Sequence, residues 1–520
     1  MNITFEEPEY TSAQSRLFVF GLALIVLVFY GTSIAHFHYT PDETFRNLRY
    51  AGNIASGRGF SFNPHQTSFG VASPLWTLLI SCEYFFSIDV VFGAKVLDLF
   101  VASIGLIVFF LLSFEILRHR ILALLSTLAF SMNTSFLQYA SSGLETSLAV
   151  SLVLLAVWYC MRNEYIAGSV VTGLLALVRP EAILFLVILA VDIFFNTIER
   201  RRVFRKLGGS FLACAVVVVP WYTYAYLTFG TVIPNPFFAE SGTHGASSVL
   251  AAYVTAVGAS DAVTGVLVIA GLLLTIRTRN RRTTSGQADI RMLIIPAGLI
   301  VVISLFFLGV EIGRVPRLLI PILPLMTILG FWGMVKIHEE FALFQRFDYN
   351  IFIVLTAIIL IQNQIVYRKS VQPLMRDSIQ GTEDVYQNIA SWLEKNTSPD
   401  ATVAVPDVGV IGFYSHRTIC DPAGVVTPEI VTLRRQGMTY DEIMLKRHYR
   451  AHCIPDYIID RAPVAERLTD EDLVPLFHRT FYGRPESGDP VLYYTVYRAR
   501  HNTQQKAILN ITEGAVWKEK

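Results

Sequence analysis

Residues 17–45 read LFVFGLALIVLVFYGTSIAHFHYTPDETF, an apolar stretch from Leu17 to Ala35 that is soon followed by Asp42 and Glu43. The stretch is close to the roughly 20 residues that a helix needs to cross a bilayer. It has no small-residue cleavage site, which indicates a retained helix rather than a signal peptide. Comparable stretches recur at Leu207–Leu227, Met292–Leu308 and Ile351–Tyr367. The sequence therefore predicts a polytopic α-helical membrane protein with about eleven spans.

The composition agrees with residence in lipid. Of 520 residues, 53% are hydrophobic and 16% are charged, whereas soluble domains have roughly 25% charged residues. The net charge of +1 accompanies no Lys/Arg block interleaved with aromatic residues. A nucleic-acid partner is therefore not expected. The expected partner is the lipid bilayer.

The distribution of basic residues predicts the orientation, because cytoplasmic loops are enriched in Lys and Arg. A cytoplasmic N-terminus places most basic residues in inner loops, and an odd number of spans then sends everything after about Ser370 outside. We therefore predict an inner-membrane protein with an extracytoplasmic C-terminal domain. The inner set is Arg118, Arg120, Arg162, Arg200, Arg201, Arg202, Arg205, Lys206, Arg277, Arg279, Arg281, Arg282, Arg291, Lys336 and Arg346.

The first outer loop, from about His36 to Val91, is too long for a simple turn. Its start has the periodicity of an amphipathic helix, which predicts a helix lying on the membrane surface. Ser73-Pro74-Leu75-Trp76 then opens a second helix, because proline is favoured at an early helical position. We place this helix on the surface, since counting it as a span would invert the charge bias of every later loop. The apolar face of the first helix carries Phe45, Leu48, Ala51 and Ala55, and the polar face carries Asp42, Arg46, Arg49 and Asn53.

The C-terminal part differs in kind. Short β-type runs at Thr402–Val405, Tyr457–Ile459 and Val491–Tyr497 are separated by helical patterns, which predicts a small α/β domain. We expect a transmembrane domain at 1–369, an extracytoplasmic α/β domain at 370–500 and a polar tail at 501–520. Cys420 and Cys453 fall in this domain, and an extracytoplasmic location would permit a disulfide between them.

Several charges stand at the outer ends of spans, where an ionisable group is costly and suggests function. They are Asp42, Glu43, Glu145, Arg179, Glu181 and Arg317. Guanidinium groups beside carboxylates at a lipid–water boundary suit one task well. The guanidiniums hold the phosphate of a lipid-linked donor while a carboxylate takes a proton from an acceptor.

Each of these residues also has a purely structural interpretation. Arg46 and Arg49 have side chains long enough to reach lipid phosphates without any site. The structural alternative for Arg179 and Glu181 is an ion pair with each other.

The acids have structural alternatives too. The structural alternative for Glu145 is a first-turn acid at a helix N-terminus. The structural alternative for Asp42 is an N-cap. His36 and His38, close to the acids, leave a divalent metal site as an open possibility.

At these same residues the chain resembles the GT-C glycosyltransferases, multi-span enzymes that use polyprenyl-phosphate sugars, above all the branch with the mycobacterial terminal arabinofuranosyltransferase. The order and spacing of the motifs carry the resemblance over most of the chain. The motifs are Asp42-Glu43-Thr44-Phe45, Arg49-Tyr50-Ala51, Ser73-Pro74-Leu75-Trp76, Ser142-Gly143-Leu144-Glu145-Thr146, Arg179-Pro180-Glu181, Pro234-Asn235-Pro236, Arg317, Asp407-Val408-Gly409 and Asp421-Pro422-Ala423-Gly424.

The resemblance implies a role for each matching residue. Asp42 is implied to be the general base. The implied catalytic group is Asp42, Glu43 and Glu145; the implied donor-phosphate group is Arg49, Arg179 and Arg317; the implied substrate contacts are Trp76, Asn235 and Glu181. One departure is Glu240, which stands where relatives often have lysine after Phe-Phe-Ala or Phe-Tyr-Ala.

These observations together predict an inverting glycosyltransferase that moves a sugar, arabinofuranose being the candidate, from a polyprenyl-phosphate donor to a cell-envelope glycan or glycolipid. No cofactor is assigned, and a divalent metal stays open. The alternatives are a transporter of lipid-linked sugars and a non-catalytic envelope assembly factor. A transporter favours internal repeats, and none is visible in the sequence.

Overall fold

The computed structural model describes residues 12–86, 88–239, 246–278, 294, 298, 317, 320–341, 350–481 and 491–500. The predicted span at Met292–Leu308 lies outside these residues except for positions 294 and 298.

Helices account for most of the described residues, which confirms the predicted fold class. They are α1 (Ser12–Ile34), α2 (Asp42–Ala55), α3 (Pro74–Ser81), α4 (Val90–Leu117), α5 (Arg120–Ser131), α6 (Thr134–Tyr139), α7 (Thr146–Met161), α8 (Tyr165–Ala176), α9 (Phe185–Asn196), α10 (Arg200–Phe229), α11 (Pro236–Ala239), α12 (Ala246–Thr278), α13 (Leu323–Glu340), α14 (Asn350–Val366), α15 (Gln372–Gly381), α16 (Asn388–Asn396), α17 (Val408–Ser415), α18 (Pro428–Arg435) and α19 (Tyr440–Leu445).

Within the described residues, five helical segments are long and apolar enough to cross a membrane, namely Arg16–Ile34, Val90–Leu117, Arg200–Phe229, Ile320–Glu340 and Asn350–Asn396. Shorter apolar helices, α5, α7 and α8, pack among them and share one large hydrophobic core.

The helix bundle has two chemically different ends. At one end the α7–α8 turn is tied to α4 by an Arg162–Glu115 ion pair of 3.5 Å, and Arg120 lies over the ring of Phe18 near the start of α1. This end therefore carries Arg120 and Arg162, two of the basic residues that the sequence assigns to inner loops. The opposite end carries the first loop and the C-terminal domain.

Both helices predicted in the first loop are present, as α2 and α3, and Pro74 stands at the start of α3. The position of α2 on the membrane surface stays a prediction, but part of its polar face is not exposed. Arg46 and Asn53 on that face are buried, since α2 packs between α3 and α17 of the C-terminal domain. Its polar side chains are covered by protein instead of lipid headgroups.

The C-terminal domain contains a five-stranded mixed sheet in the order β4-β3-β5-β7-β6. Strand β3 pairs in parallel with β4 and β5, whereas β7 pairs antiparallel with β5 and β6. The strands are β3 (Thr402–Ala404), β4 (Thr418–Cys420), β5 (Tyr457–Ala462), β6 (Leu473–Phe481) and β7 (Leu492–Ala499), and a small hairpin in the first loop supplies β1 (Ser61–Asn63) and β2 (Gln66–Thr67). Cys420 and Cys453 form a disulfide, which settles the pairing that the sequence left open.

The C-terminal domain is joined to the first loop by a shared hydrophobic core. Phe60, Phe62 and Phe69 of that loop belong to the same buried cluster as Val403 and Val496 of the sheet. A continuous helical run, Asn350–Asn396, leads from the membrane into the domain. The predicted domain boundary at 369/370 falls inside this run and stays a prediction.

Candidate functional site

Arg317 joins two acids that are far apart in the sequence. Its guanidinium lies 3.1 Å from Glu145 and 3.5 Å from Glu43. The Glu145 side chain is only 6% exposed and that of Glu43 15%. A guanidinium that bridges two such carboxylates holds both of them at one place on the helix bundle.

A second guanidinium, Arg179, stands beside this group. It is 3.8 Å from Glu181 and interacts electrostatically with Glu145 and Arg317. Arg179 is 8% exposed, and its Nε and Nη2 have no hydrogen-bond partner among the described residues. Buried N–H donors without partners are costly, so Arg179 has donors available for an anion.

The turn before α7 fixes the position of Glu145. Gly143 adopts a φ of 79°, a conformation that glycine tolerates best. Its carbonyl accepts a 2.9 Å hydrogen bond from the Trp76 indole, and its N–H donates 3.0 Å to Asp98. Glu145 occupies the N-cap position without making a capping hydrogen bond. Its carboxylate is instead paired with Arg317.

Asp42 lies between the bundle and the C-terminal domain. It is the first residue of α2, where Pro41 takes the N-cap position, so it does not cap its own helix. Instead its carboxylate accepts hydrogen bonds from the backbone N–H groups of Gly409, at 2.9 Å, and Val410, at 2.8 Å, in the first turn of α17. Burial first, and then the negative charge of Asp407, raise the pKa of Asp42 to about 7.

Asp407 itself is held from two strands of the sheet. Arg461 of β5 donates to its carboxylate at 3.0 Å, and the Tyr494 hydroxyl of β7 donates at 2.7 Å. The Tyr386 hydroxyl lies 3.0 Å from that of Tyr494. The sequence contained Asp407 within a motif but offered no reason to place it near Asp42.

Arg49, a predicted phosphate ligand, is engaged elsewhere. Its Nε donates to the Phe62 carbonyl at 2.9 Å, and its Nη1 donates to the Gly412 carbonyl. Its Nη2 donates to the Arg417 carbonyl at 2.7 Å and to Asn63 at 3.2 Å. With four donated bonds, this guanidinium joins the first loop to the C-terminal domain, and the geometry disfavours the predicted phosphate contact.

Two predicted substrate contacts are also used internally. Trp76 is fully buried, and its indole N–H is taken by Gly143. Asn235 is 4% exposed and donates to the Val425 carbonyl at 3.2 Å. Direct contact with a substrate is therefore not supported for either residue, because neither presents free surface. Trp76 instead supports the turn that carries Glu145.

The structure thus brings Glu43, Glu145, Glu181, Arg179 and Arg317 together and places Asp42 beside them. His36 donates through Nδ1 to the Thr32 carbonyl at 3.0 Å. Among the described residues, no group of three or more His, Cys, Asp or Glu side chains is arranged to hold a metal ion.

Comparisons with known proteins support the fold. Residues 373–504 match a family described as a domain of unknown function (DUF8728), and comparison with curated proteins gave no match. The structure resembles the crystal structure of ArnT from Cupriavidus metallidurans bound to undecaprenyl phosphate, with a TM-score of 0.53 and 14% identity. The alignment covers 94% of this chain and 98% of that chain. The chain therefore has the fold of that protein, an ArnT-like helical fold with a C-terminal α/β domain.

Proposed function

We propose that this protein is an inverting membrane glycosyltransferase that transfers a sugar from a polyprenyl-phosphate donor to a cell-envelope glycan or glycolipid. The observation that carries the proposal is the buried guanidinium of Arg179, with two nitrogens that have no partner in the part of the chain that the structure describes, beside the Arg317 bridge between Glu43 and Glu145. The likeness to a protein crystallised with undecaprenyl phosphate supports the class of donor.

The two guanidiniums suit the leaving group. As the bond between the anomeric carbon and the phosphate oxygen breaks, its electron pair stays on the lipid phosphate. Arg179 and Arg317 stabilise that developing charge as preorganised cations. The lipid phosphate is a good leaving group as an anion, so no general acid has to protonate it.

Asp42 is the proposed general base. The acceptor oxygen attacks the anomeric carbon from the face opposite the phosphate, and Asp42 takes the acceptor's proton. A base with a pKa of about 7 suits this role, because proton transfer is most efficient when the pKa is near the working pH. Glu43 and Glu145, paired with Arg317, keep the phosphate site in place.

Orientation and sugar identity belong to the same proposal. We place the site and the C-terminal domain outside the cytoplasm of an inner-membrane protein, as the loop charges indicate. A disulfide in that domain fits an oxidising compartment. Arabinofuranose is the first sugar to test, because the sequence motifs are most similar to that branch.

The test is transfer by the purified chain in nanodiscs from a panel of synthetic polyprenyl-phosphate pentoses and hexoses to short synthetic glycosides. We expect transfer from one donor class. Asp42→Asn should lower turnover by roughly 10²- to 10⁴-fold while donor binding survives. A transporter reconstituted into proteoliposomes would move labelled lipid-linked sugar across the bilayer without transferring the sugar to an acceptor. If the protein is an assembly factor, cells that carry the Asp42→Asn variant should build a normal envelope.

A further inference from the structure

The C-terminal domain makes direct contact with the proposed base. Two backbone N–H groups of α17, those of Gly409 and Val410, hold both carboxylate oxygens of Asp42. The approach is so close that a methyl group at position 409 would lie 2.6 Å from the Asp42 carboxylate. The orientation of the base is therefore set by a part of the chain outside the membrane bundle.

A second carboxylate, Asp407, precedes the same helix and acts electrostatically on Asp42. Its own position is fixed by Arg461 and Tyr494, which come from two adjacent strands. Its negative charge is the largest electrostatic influence on Asp42 after burial. An acid beside another buried acid costs stability, so a purely structural anchor gains nothing from Asp407 at this place.

We propose that the C-terminal domain forms part of the catalytic centre, with Asp407 and the amide groups of Gly409 and Val410 acting as positioning groups for the base Asp42. This inference rests on the proposed function. It assigns a task to the C-terminal domain, which matches a family described as a domain of unknown function.

Opposing influences act on the Asp42 carboxylate. The two N–H donors favour its charged form, whereas burial and the charges of Asp407 and Glu43 favour its protonated form. The balance raises the pKa of Asp42 to about 7. Removing the charge of Asp407 should therefore lower the pKa of Asp42, and the positive Arg461 left behind acts in the same direction.

Other ionisable groups on the elements packed around α2 have separate partners. Helix α3 has no ionisable side chain. On α4, Lys95 donates to the Tyr39 carbonyl at 3.1 Å, and Asp98 accepts from Gly143. In the segment before β3, the Tyr386 hydroxyl lies 3.0 Å from that of Tyr494 and also interacts electrostatically with Asp42, but a tyrosine hydroxyl is neutral at the pH where Asp42 titrates. Asp407 is thus the group on the C-terminal domain whose replacement should move the titration of Asp42.

The experiment measures the pH dependence of kcat/KM for sugar transfer by full-length wild type and Asp407→Asn in nanodiscs, using the donor and acceptor that the wild type accepts. We expect the acid limb of the variant to shift to lower pH by about one unit. At pH 5 the variant should then keep roughly tenfold more of its plateau rate than the wild type. Asp42→Asn should abolish this limb.

Asp460→Asn is the matched control. Asp460 is also buried and pairs with an arginine of the same domain, Arg467, at 2.6 Å, but it does not act on Asp42. It should lower thermal stability without moving the acid limb. An unshifted limb for Asp407→Asn, with normal wild-type transfer, would overturn this inference alone. Absence of transfer by the wild type from every donor would overturn the proposed function and this inference with it.

Discussion

Asp42 accepts a 2.9 Å hydrogen bond from the backbone N–H of Gly409, although the two residues are 367 positions apart in the chain. The bond joins the first residue of the first-loop helix to the C-terminal domain. It also leaves no room for a side chain at position 409, since an added Cβ would overlap the Asp42 carbonyl oxygen.

Gly409→Ala should therefore displace Asp42 and lower transfer by about 10²-fold, the scale expected when a catalytic group moves by roughly 1 Å. The measurement is turnover at saturating donor, with donor binding followed in parallel. Gly208→Ala is the control, because a methyl group there meets nothing within 4 Å. Normal turnover by Gly409→Ala would show that the contact does not orient the base.

Arg179→Gln should weaken donor binding by about tenfold to hundredfold, from the roughly 1.5–3 kcal/mol of a hydrogen bond to a charged group. Arg179→Lys should not restore binding if the phosphate contact is bidentate. Binding is measured with an unreactive polyprenyl phosphate. Arg450→Gln, which breaks a 2.7 Å ion pair to Asp472 in the C-terminal domain, should leave it unchanged. If folded Arg179→Gln binds normally, Arg179 serves only as the ion-pair partner of Glu181.

Arg49→Gln should lower the free energy of unfolding by about 3 kcal/mol, because charged hydrogen bonds between the first loop and the C-terminal domain are lost. Thermal unfolding in detergent measures the effect, and donor affinity should stay within twofold of wild type, about the limit of such a measurement. Arg58→Gln, an exposed change in the same loop, is the control. A large loss of donor affinity at unchanged stability would return Arg49 to the phosphate site.

The orientation is tested with a phosphatase reporter that is active only outside the cytoplasm. A fusion after Ser370 should be active, and one at Gly286 should be inactive, because the intervening spans carry the chain outward. Equal expression is checked by immunoblot. The reverse pattern would place the acids on the cytoplasmic face and remove the proposed outward site.

Local pattern determined much of this fold. The length of apolar stretches predicts membrane helices, because a bilayer imposes a fixed thickness on any segment that crosses it. The helical period in the first loop and the proline at position 74 predicted α2 and α3. Alternating apolar runs likewise predicted β3, β5 and β7, which are the three interior strands of the sheet.

The two edge strands were missed for physical reasons. Strand β4 is the short segment Thr418–Cys420 between the charged residues Arg417 and Asp421, so it lacks the longer β-type run that marked Thr402–Val405. Strand β6 contains Pro475 at a register irregularity, and several of its side chains are exposed. Edge strands tolerate proline and polar residues because one side of their backbone needs no ladder partner.

The sequence by itself determined which residues are charged near the membrane, and only the tertiary structure decided which of them meet. Glu43, Glu145 and Arg317 were predicted as candidates, but their bridge depends on three separate segments packing together. Arg49 was chosen by the same reasoning, yet folding buries it against carbonyl groups of the C-terminal domain. Charge and hydrophobic period are local properties, whereas the partners of a buried charge are set by contacts across hundreds of residues, and those contacts decide its role.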